Sequence, residues 1–336
     1  MAKKIRLEDL AKLSGVSIAT VSRALNDSPA VNEQTKREIW TLARKNGYTQ
    51  RPNMPTSLDR AAATLSIIIP PPQGRESFTI DPFFQELVGA IGDSARERRC
   101  DVLTLHTSPQ NYDDLTRALD RSMSEGVIIL GQSFLHERLN RLAGHDTKFI
   151  VWGGELPGQQ YCSVGTDNLQ GGRRATSHLA RLGRKRIVFM GDTEAPEIAQ
   201  RLTGYKTALE RARLPYDENL VVPAHFQVES AEASVDALLA RRIKFDGIFA
   251  SSDTIALGAI RALQRRGLSV PEDVSVVGYD DIQFAQYSRP SLTTIRQDLA
   301  KAGNLMVSKL LNAETSRDMR SERLPTDVIV RESCGA

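Results

Sequence analysis

The sequence predicts a small all-α head followed by a two-lobed α/β body with mainly parallel sheets, each lobe flanked by helices. Three observations lead there. Residues 1–49 place apolar side chains at helical spacing, interrupted by tight turns. From Thr64 onward strand-sized apolar runs alternate with helical stretches, the pattern of a parallel sheet with crossover helices. The stretch 64–336 is long for one such sheet, and a break near Gly153 to Val164 divides it into two similar lobes.

The elements follow in order. Leu7, Leu10 and Ala11 lie on one helical face, Gly15-Val16-Ser17 interrupts, and Val21, Ala24 and Leu25 resume that face. A third helix starts at a capping Asn32, runs through Ile39, Leu42 and Ala43, and stops at Asn46-Gly47. Residues 50–63 are polar, carry two prolines and show no apolar stripe, so they read as a hinge or linker. The strand runs beyond it are Leu65 to Ile69, Val102 to Leu105, Val127 to Leu130, Phe149 to Trp152, Ile187 to Met190, Gly247 to Ala250 and Val274 to Val277. Helical stretches Phe84 to Arg98, Leu169 to Leu182, Ile198 to Arg211 and Ile255 to Arg266 lie between them. We expect lobe 1 to comprise about 64–160 plus 292–320, and lobe 2 about 163–288 plus 321–336.

Charge separates head from body. The chain of 336 residues has a formal charge of only +3, but residues 1–60 hold 11 Lys+Arg against 6 Asp+Glu, leaving 33 against 35 for the remainder. A +5 head on a −2 body suits a polyanion-binding module attached to a neutral one. The apolar stretch Leu65 to Pro72 is too short for a membrane helix, and Met1-Ala-Lys-Lys runs into charged residues instead of a signal core, so a cytoplasmic protein without membrane contact is expected. Cys100, Cys162 and Cys334 are far apart and odd in number, which favours neither a disulfide framework nor a metal site.

Leu7 to Asn26 has the layout of a helix-turn-helix. Gly15 permits the positive φ of a tight turn, and Ser17 is placed as N-cap of the second helix. With Val21 and Leu25 facing inward, Ile18, Ala19, Ser22 and Arg23 point outward near the start of a helix able to enter the DNA major groove. Arg23 can fork two donors to a guanine; Ile18 and Ala19 can give apolar contact to a thymine methyl. Thr20, Ser22, Asn26 and the third helix's start at Asn32 are candidate phosphate contacts.

Val16-Ser-Ile-Ala-Thr-Val-Ser-Arg-Ala-Leu-Asn26, Val31-Asn-Glu-Gln-Thr-Lys-Arg37 and Gly47-Tyr48 together resemble the lactose-repressor (LacI/GalR) family of transcription regulators. The resemblance continues through Val164-Gly-Thr-Asp-Asn168, Gly171-Gly172, Arg201 with Gly204-Tyr205, Val276-Val-Gly-Tyr-Asp-Asp281 and Leu292-Thr-Thr-Ile-Arg-Gln-Asp298. It implies a helix-turn-helix head on a periplasmic-binding-protein-like body and a homodimer reading a roughly palindromic double-stranded operator. It also implies a linker leucine wedged into the minor groove, for which Leu58 is the candidate, against a plain flexible linker. The spacing from Pro52-Asn53 to Leu58 is one residue shorter than usual, and Pro55 intrudes. Arg6 stands where relatives carry a helix-capping Thr; it can replace a phosphate contact but not the cap. Tyr48 belongs to the same set of DNA-binding candidates.

In open parallel sheets ligands bind beyond the carboxyl ends of strands, where Asp253 and Asp280 fall. The resemblance assigns Asp280 and Arg201 to an effector pocket. Asp81, Phe83, Phe84, Gln132 and Phe226 complete the candidates, with stacking on a sugar or base weighed against core packing for the aromatics. His106, His136, His145, His178 and His225 show no metal-binding or catalytic spacing, and no nucleophile elbow or Walker loop is present, which argues against an enzyme. The expected function is a sequence-specific transcription regulator, a repressor, controlled by a small effector, a sugar in the favoured case, with no cofactor. The alternative is a sugar-binding or transport-receptor-like protein without gene regulation; the basic head discriminates against it. No leucine-heptad tail follows Val330, so a dimer is expected instead of a tetramer.

Overall fold

The computed structural model describes residues 7–25, 28, 30–45, 63–70, 81–105, 112–121, 124–132, 135–144 and 148–336. They divide into two compact units, Met1–Ala61 and Ala62–Ala336. Most of the expected hinge, 50–62, lies outside the described residues.

The first unit contains α1 (Leu7–Ser14), α2 (Ile18–Leu25) and α3 (Glu33–Lys45). Leu10, Ala11, Val21, Ala24, Leu25, Val31, Ile39 and Ala43 are buried together, with Leu7, Val16 and Leu42 packed against them. This is one apolar stripe from each helix, closed on the other two. Gly15 turns the chain between α1 and α2 at φ +69°, a conformation that a side chain would strain.

The second unit begins with β1 (Ala63–Ile68), α4 (Pro82–Glu97), β2 (Cys100–Leu105), α5 (Tyr112–Arg121), β3 (Gly126–Leu130), α6 (His136–Leu142), β4 (Phe149–Trp152) and β5 (Ser163–Thr166). There follow α7 (Asn168–Arg181), β6 (Ile187–Met190), α8 (Pro196–Arg211), β7 (Val221–Val222), α9 (Val228–Ala240), β8 (Gly247–Ala250), α10 (Asp253–Arg265), β9 (Ser275–Asp280) and β10 (Thr293–Gln297). The chain ends with α11 (Leu299–Asn312), β11 (Glu322–Leu324) and β12 (Thr326–Ile329). Two six-stranded sheets result, ordered β11-β5-β4-β3-β1-β2 in lobe 1 and β12-β10-β9-β8-β6-β7 in lobe 2. Every pairing is parallel except β10 with β12. Central strands such as β3 and β6 are buried throughout, which explains their unbroken apolar character.

Three expected boundaries change. Residues 163–166 and 322–324 pair with each other and belong to lobe 1, whereas 293–297 joins β9 in lobe 2. The chain therefore crosses between lobes at β5 to α7, a few residues beyond the expected break at Gly153 to Val164, and again at β10 to α11 and β11 to β12. At the crossings Thr166 Oγ1 donates to Gln297 Oε1 at 2.6 Å, and Gln297 is the register partner of Thr326.

Helix starts are fixed by side chains. Asp81 accepts from the Phe83 amide, Asp167 from Gln170, Ser252 from Ile255 and Asp298 from Lys301. Helices α7 and α8 meet at bare backbone: a Cβ at Gly204 would collide with the Leu169 carbonyl and the Arg173 amide, and one at Gly172 with the Arg201 carbonyl. This contact sets where Arg201 enters lobe 2. Gly204→Ala should lower unfolding stability by about 1–3 kcal/mol in denaturant titrations, while Thr203→Ala on the exposed side of the same helix should cost well under 1 kcal/mol.

Candidate DNA-reading helix and effector cleft

In the head, Ser17 Oγ accepts the Thr20 amide at 3.1 Å and lies 2.8 Å from Thr20 Oγ1, so both hydroxyls are drawn into starting α2. Ile18 is 49% exposed, and Ala19 and Arg23 are exposed, with Ser22 and Thr20 half-buried beside them. The outward face of α2 thus combines an apolar entry with one forked donor. Asn32 Oδ1 accepts the Thr35 amide at 2.8 Å and opens α3. Arg6, Asn26, Tyr48 and Leu58 lie outside the described residues.

In the body, Arg201 of α8 is the centre of the cleft. It is buried, its Nε donating to Asn168 Oδ1 at 2.9 Å and its Nη1 to the Ser251 carbonyl. The guanidinium lies 3.5 Å from the Tyr279 ring centroid, and Nη1 is 4.0 Å from Asp280 Oδ1. Stacking on an aromatic face lets a cation leave water with part of its hydration replaced. Asp280 ends β9 at φ +124° and accepts from Gln297 Nε2 at 2.7 Å. Burial pushes its carboxyl well above the usual range, opposed by Arg201 and reinforced by Asp253 and Asp81.

Asp81 comes from lobe 1. One oxygen caps α4 through the Phe83 amide; the other, Oδ2, is buried with no hydrogen-bond partner among the described residues. Burial raises its pKa, against the Phe83 amide, the charge of Arg201 across the cleft and the Thr254 hydroxyl of lobe 2. Gln132 is likewise half-used. Its Nε2 donates to Tyr161 Oη at 2.8 Å and the Gly154 carbonyl at 2.9 Å, while Oε1 is buried without a partner. Such acceptors are costly to leave unmet. Phe83 packs into the lobe 1 core, 5.8 Å from Trp152 and 5.5 Å from Phe84, which stays half-buried. Phe226 is 38% exposed on the loop before α9.

Asp253 differs from Asp280. It is fully buried at the start of α10, with Oδ1 accepting from Thr294 Oγ1 and Oδ2 from the Ile282 amide. Gly278 lies so close to Oδ1 that any side chain there would collide. Both oxygens therefore tie β9, β10 and the turn after β9 together. Burial pushes its pKa up to about 8, against the Thr294 hydroxyl and the Ile282 amide.

The lobes touch beyond the site. The Gln283 amide donates to Glu86 Oε1 at 2.7 Å, and Gln200 Nε2 to the Glu155 carbonyl at 3.0 Å. Asn168, Gln297 and Tyr279 hold the site's charges but were not singled out by sequence; each stands at or just beyond a carboxyl end of a strand, a usable signal. Among the described residues no group of three His, Cys, Asp or Glu side chains could hold a metal, and no helix is long and apolar enough to cross a membrane. His178 is buried against Cys334, 3.3 Å from Nε2 to Sγ, and burial lowers its pKa.

A helix-turn-helix on a compact head, and a two-lobed body with buried charges where the lobes meet, have the layout of a DNA-binding regulator with a small-molecule sensor. Residues 6–53 match the family described as bacterial regulatory proteins, lacI family, and residues 176–334 match the periplasmic binding protein-like domain. The HTH-type transcriptional regulator CelR of Thermobifida fusca is 32% identical over 336 residues, covering 97% of each chain. A solved transcriptional regulator CelR–cellobiose complex superposes with a TM-score of 0.69 at 30% identity, covering 98% of this chain and 100% of that one. A LacI family regulator from Enterococcus faecium with bound ribose gives 0.67 at 27% identity, covering 80% of this chain and 98% of that one. The chain belongs to the LacI family of bacterial regulatory proteins. It is a ligand-controlled DNA-binding transcription regulator and not an enzyme.

Arg23→Ala should weaken binding to the cognate operator by about 1–3 kcal/mol more than binding to random DNA at the same salt, read by fluorescence anisotropy. An equal loss on both DNAs would make Arg23 a phosphate contact. In the body, a proton retained by Asp253 up to about pH 8, which the unfolded chain releases near pH 4, makes stability fall as pH rises across that window. Asp253→Asn should flatten this fall in unfolding midpoints measured between pH 5 and 8.5; an unchanged slope would remove Asp253 as its source.

Proposed function

We propose that the chain is a repressor whose effector is an uncharged sugar or related polyol, bound between the lobes by Asp81, Gln132, Arg201 and Asp280. Phe84 and Phe226 offer apolar faces for the sugar ring, Phe83 supports Phe84 from below, and Asp253 supports the Asp280 loop. The observation that carries the reading is the pair of partnerless acceptors, Asp81 Oδ2 and Gln132 Oε1, on the lobe facing Arg201 and Asp280. Hydroxyl groups both donate and accept, so a polyol can satisfy the acids and the guanidinium together. Two acids, Asp280 and Asp81, beside one arginine disfavour an anionic ligand. CelR with cellobiose and the regulator with bound ribose supply precedents of this chemistry in relatives.

Control follows from the position of Gln297, which donates to Asp280 and accepts from Thr166 at the crossing strands. A ligand bridging Asp81 and Asp280 selects one lobe arrangement, and a differential affinity of about 5- to 150-fold, or 1–3 kcal/mol, is the usual scale of such coupling. In a homodimer the two +5 heads meet one roughly palindromic operator, with Leu58 as the candidate minor-groove wedge. Phe284 and Tyr287, 64% and 69% exposed on one turn of lobe 2, are apolar surface suited to the subunit contact.

Asp280→Ala should abolish the effect of sugars on operator affinity while leaving operator binding without sugar within about threefold of wild type, about 0.7 kcal/mol. The measurement is anisotropy with a panel of neutral mono- and disaccharides and the matching uronic acids, with thermal unfolding as the folding control. An undiminished sugar response in the variant removes Asp280 from the pocket. A response to uronates alone refutes the neutral-polyol reading.

A further inference from the structure

At the end of lobe 2 opposite the effector cleft, a cavity of about 660 Å³ lies between the start of β6, the end of α9 and the loop before β7. Its charged lining is Arg186, Arg241, Arg242 and Lys244 against one carboxylate, Asp217. That carboxylate is already committed: Oδ2 pairs with Arg186 at 3.1 Å, and Oδ1 accepts from the Asn219 amide and side chain at 3.0 Å each. Nearby Asp246 is used up as well, its oxygens accepting the backbone amides of Lys185 and Arg186. No carboxylate among the described residues pairs with Arg241, Arg242 or Lys244. The pocket therefore keeps three uncompensated positive charges.

Two of the four donors are also held in place. Arg186 is fixed twice, by Asp217 and through its Nε to the Lys244 carbonyl at 2.6 Å, and Arg241 Nη2 donates to Asn219 Oδ1 at 2.8 Å. Basic residues after a helix ordinarily serve its carboxyl end, which accounts for Arg241 and Arg242 beyond α9. It does not account for Arg186 and Lys244, which lead into β6 and β8. Nor does it explain why Asp217 and Asn219, on one loop, draw two guanidinium groups to the same cavity. Guanidinium forks match phosphate oxygens, and the cavity's size suits a small metabolite more than a lone ion. Because the cavity is open to water, each contact is screened, and only a ligand with several charges gains enough.

We propose that lobe 2 carries a second ligand site, formed by Arg186, Arg241, Arg242 and Lys244, that takes a multiply charged phosphate-bearing metabolite. It stands apart from the neutral-polyol cleft in both place and charge. Such a site would let the regulator answer two ligands of different chemistry through one lobe.

The test is calorimetric titration of the full chain at 25 °C and fixed ionic strength with pyrophosphate, a hexose bisphosphate and inorganic phosphate. Pyrophosphate and the bisphosphate should bind, with inorganic phosphate weaker. Arg242→Ser/Lys244→Ser should weaken both by tenfold or more, since two charge-assisted contacts are lost. The bisphosphate binding more tightly than pyrophosphate identifies the sugar phosphate as the ligand; the reverse order points to the diphosphate group alone. An affinity unchanged in the double variant places the anion on the basic head or in the cleft, and overturns the proposal. So does the absence of heat with every anion.

Discussion

A guanidinium buried where α7, α8, β8 and β9 converge governs the arrangement of the sensor. Removing such a charge from water is costly unless every donor finds a partner, and the penalty shapes its surroundings. Asn168 at the start of α7, the Ser251 carbonyl after β8, the Tyr279 ring and Asp280 each answer one part of Arg201. Because these partners come from three elements besides α8, the Arg201 position registers their packing against one another. The glycine contact between α7 and α8 brings the backbone close enough for this to happen.

The same constraint separates two acids that look alike in sequence. Asp253 and Asp280 both follow apolar strands, and both are buried with raised pKa values. Asp253 spends its oxygens on Thr294 and Ile282, within lobe 2. Asp280 stands beside a cation and is tethered by Gln297, which also receives Thr166 from the crossing strands. One acid is a fastening within lobe 2 and the other a junction between Arg201 and the crossing strands.

Much of this was legible in the residues. Runs buried on both sheet faces, such as Ile187 to Met190, and the stripes of the head announced themselves by apolar pattern, and Gly15 and Ser17 by turn and cap chemistry. Strands β5, β11 and β12 did not, because Ser163, Thr166, Glu322, Arg323, Thr326 and Asp327 interrupt any apolar run near the crossings. Misplacing β5 and β11, together with the equally polar β10, exchanged segments between lobes, whereas β12 fell in the expected lobe. The candidates Asp253, Asp280 and Gln132 were read from strand ends, but which carboxylate oxygen stays unmet depends on contacts such as Ile282 to Asp253, set by folding and not by local spacing.

Threading the chain three times between the lobes has a consequence for the order of assembly during synthesis. The head's helices contact one another within residues 7–45, so they can form as soon as they leave the ribosome. Neither sheet of the sensor is complete until residues 322–329 emerge, since β11 supplies one edge of lobe 1 and β12 one edge of lobe 2. One short stretch, residues 322–329, thus completes both sheets, and neither lobe has its full set of strands until that stretch has been made.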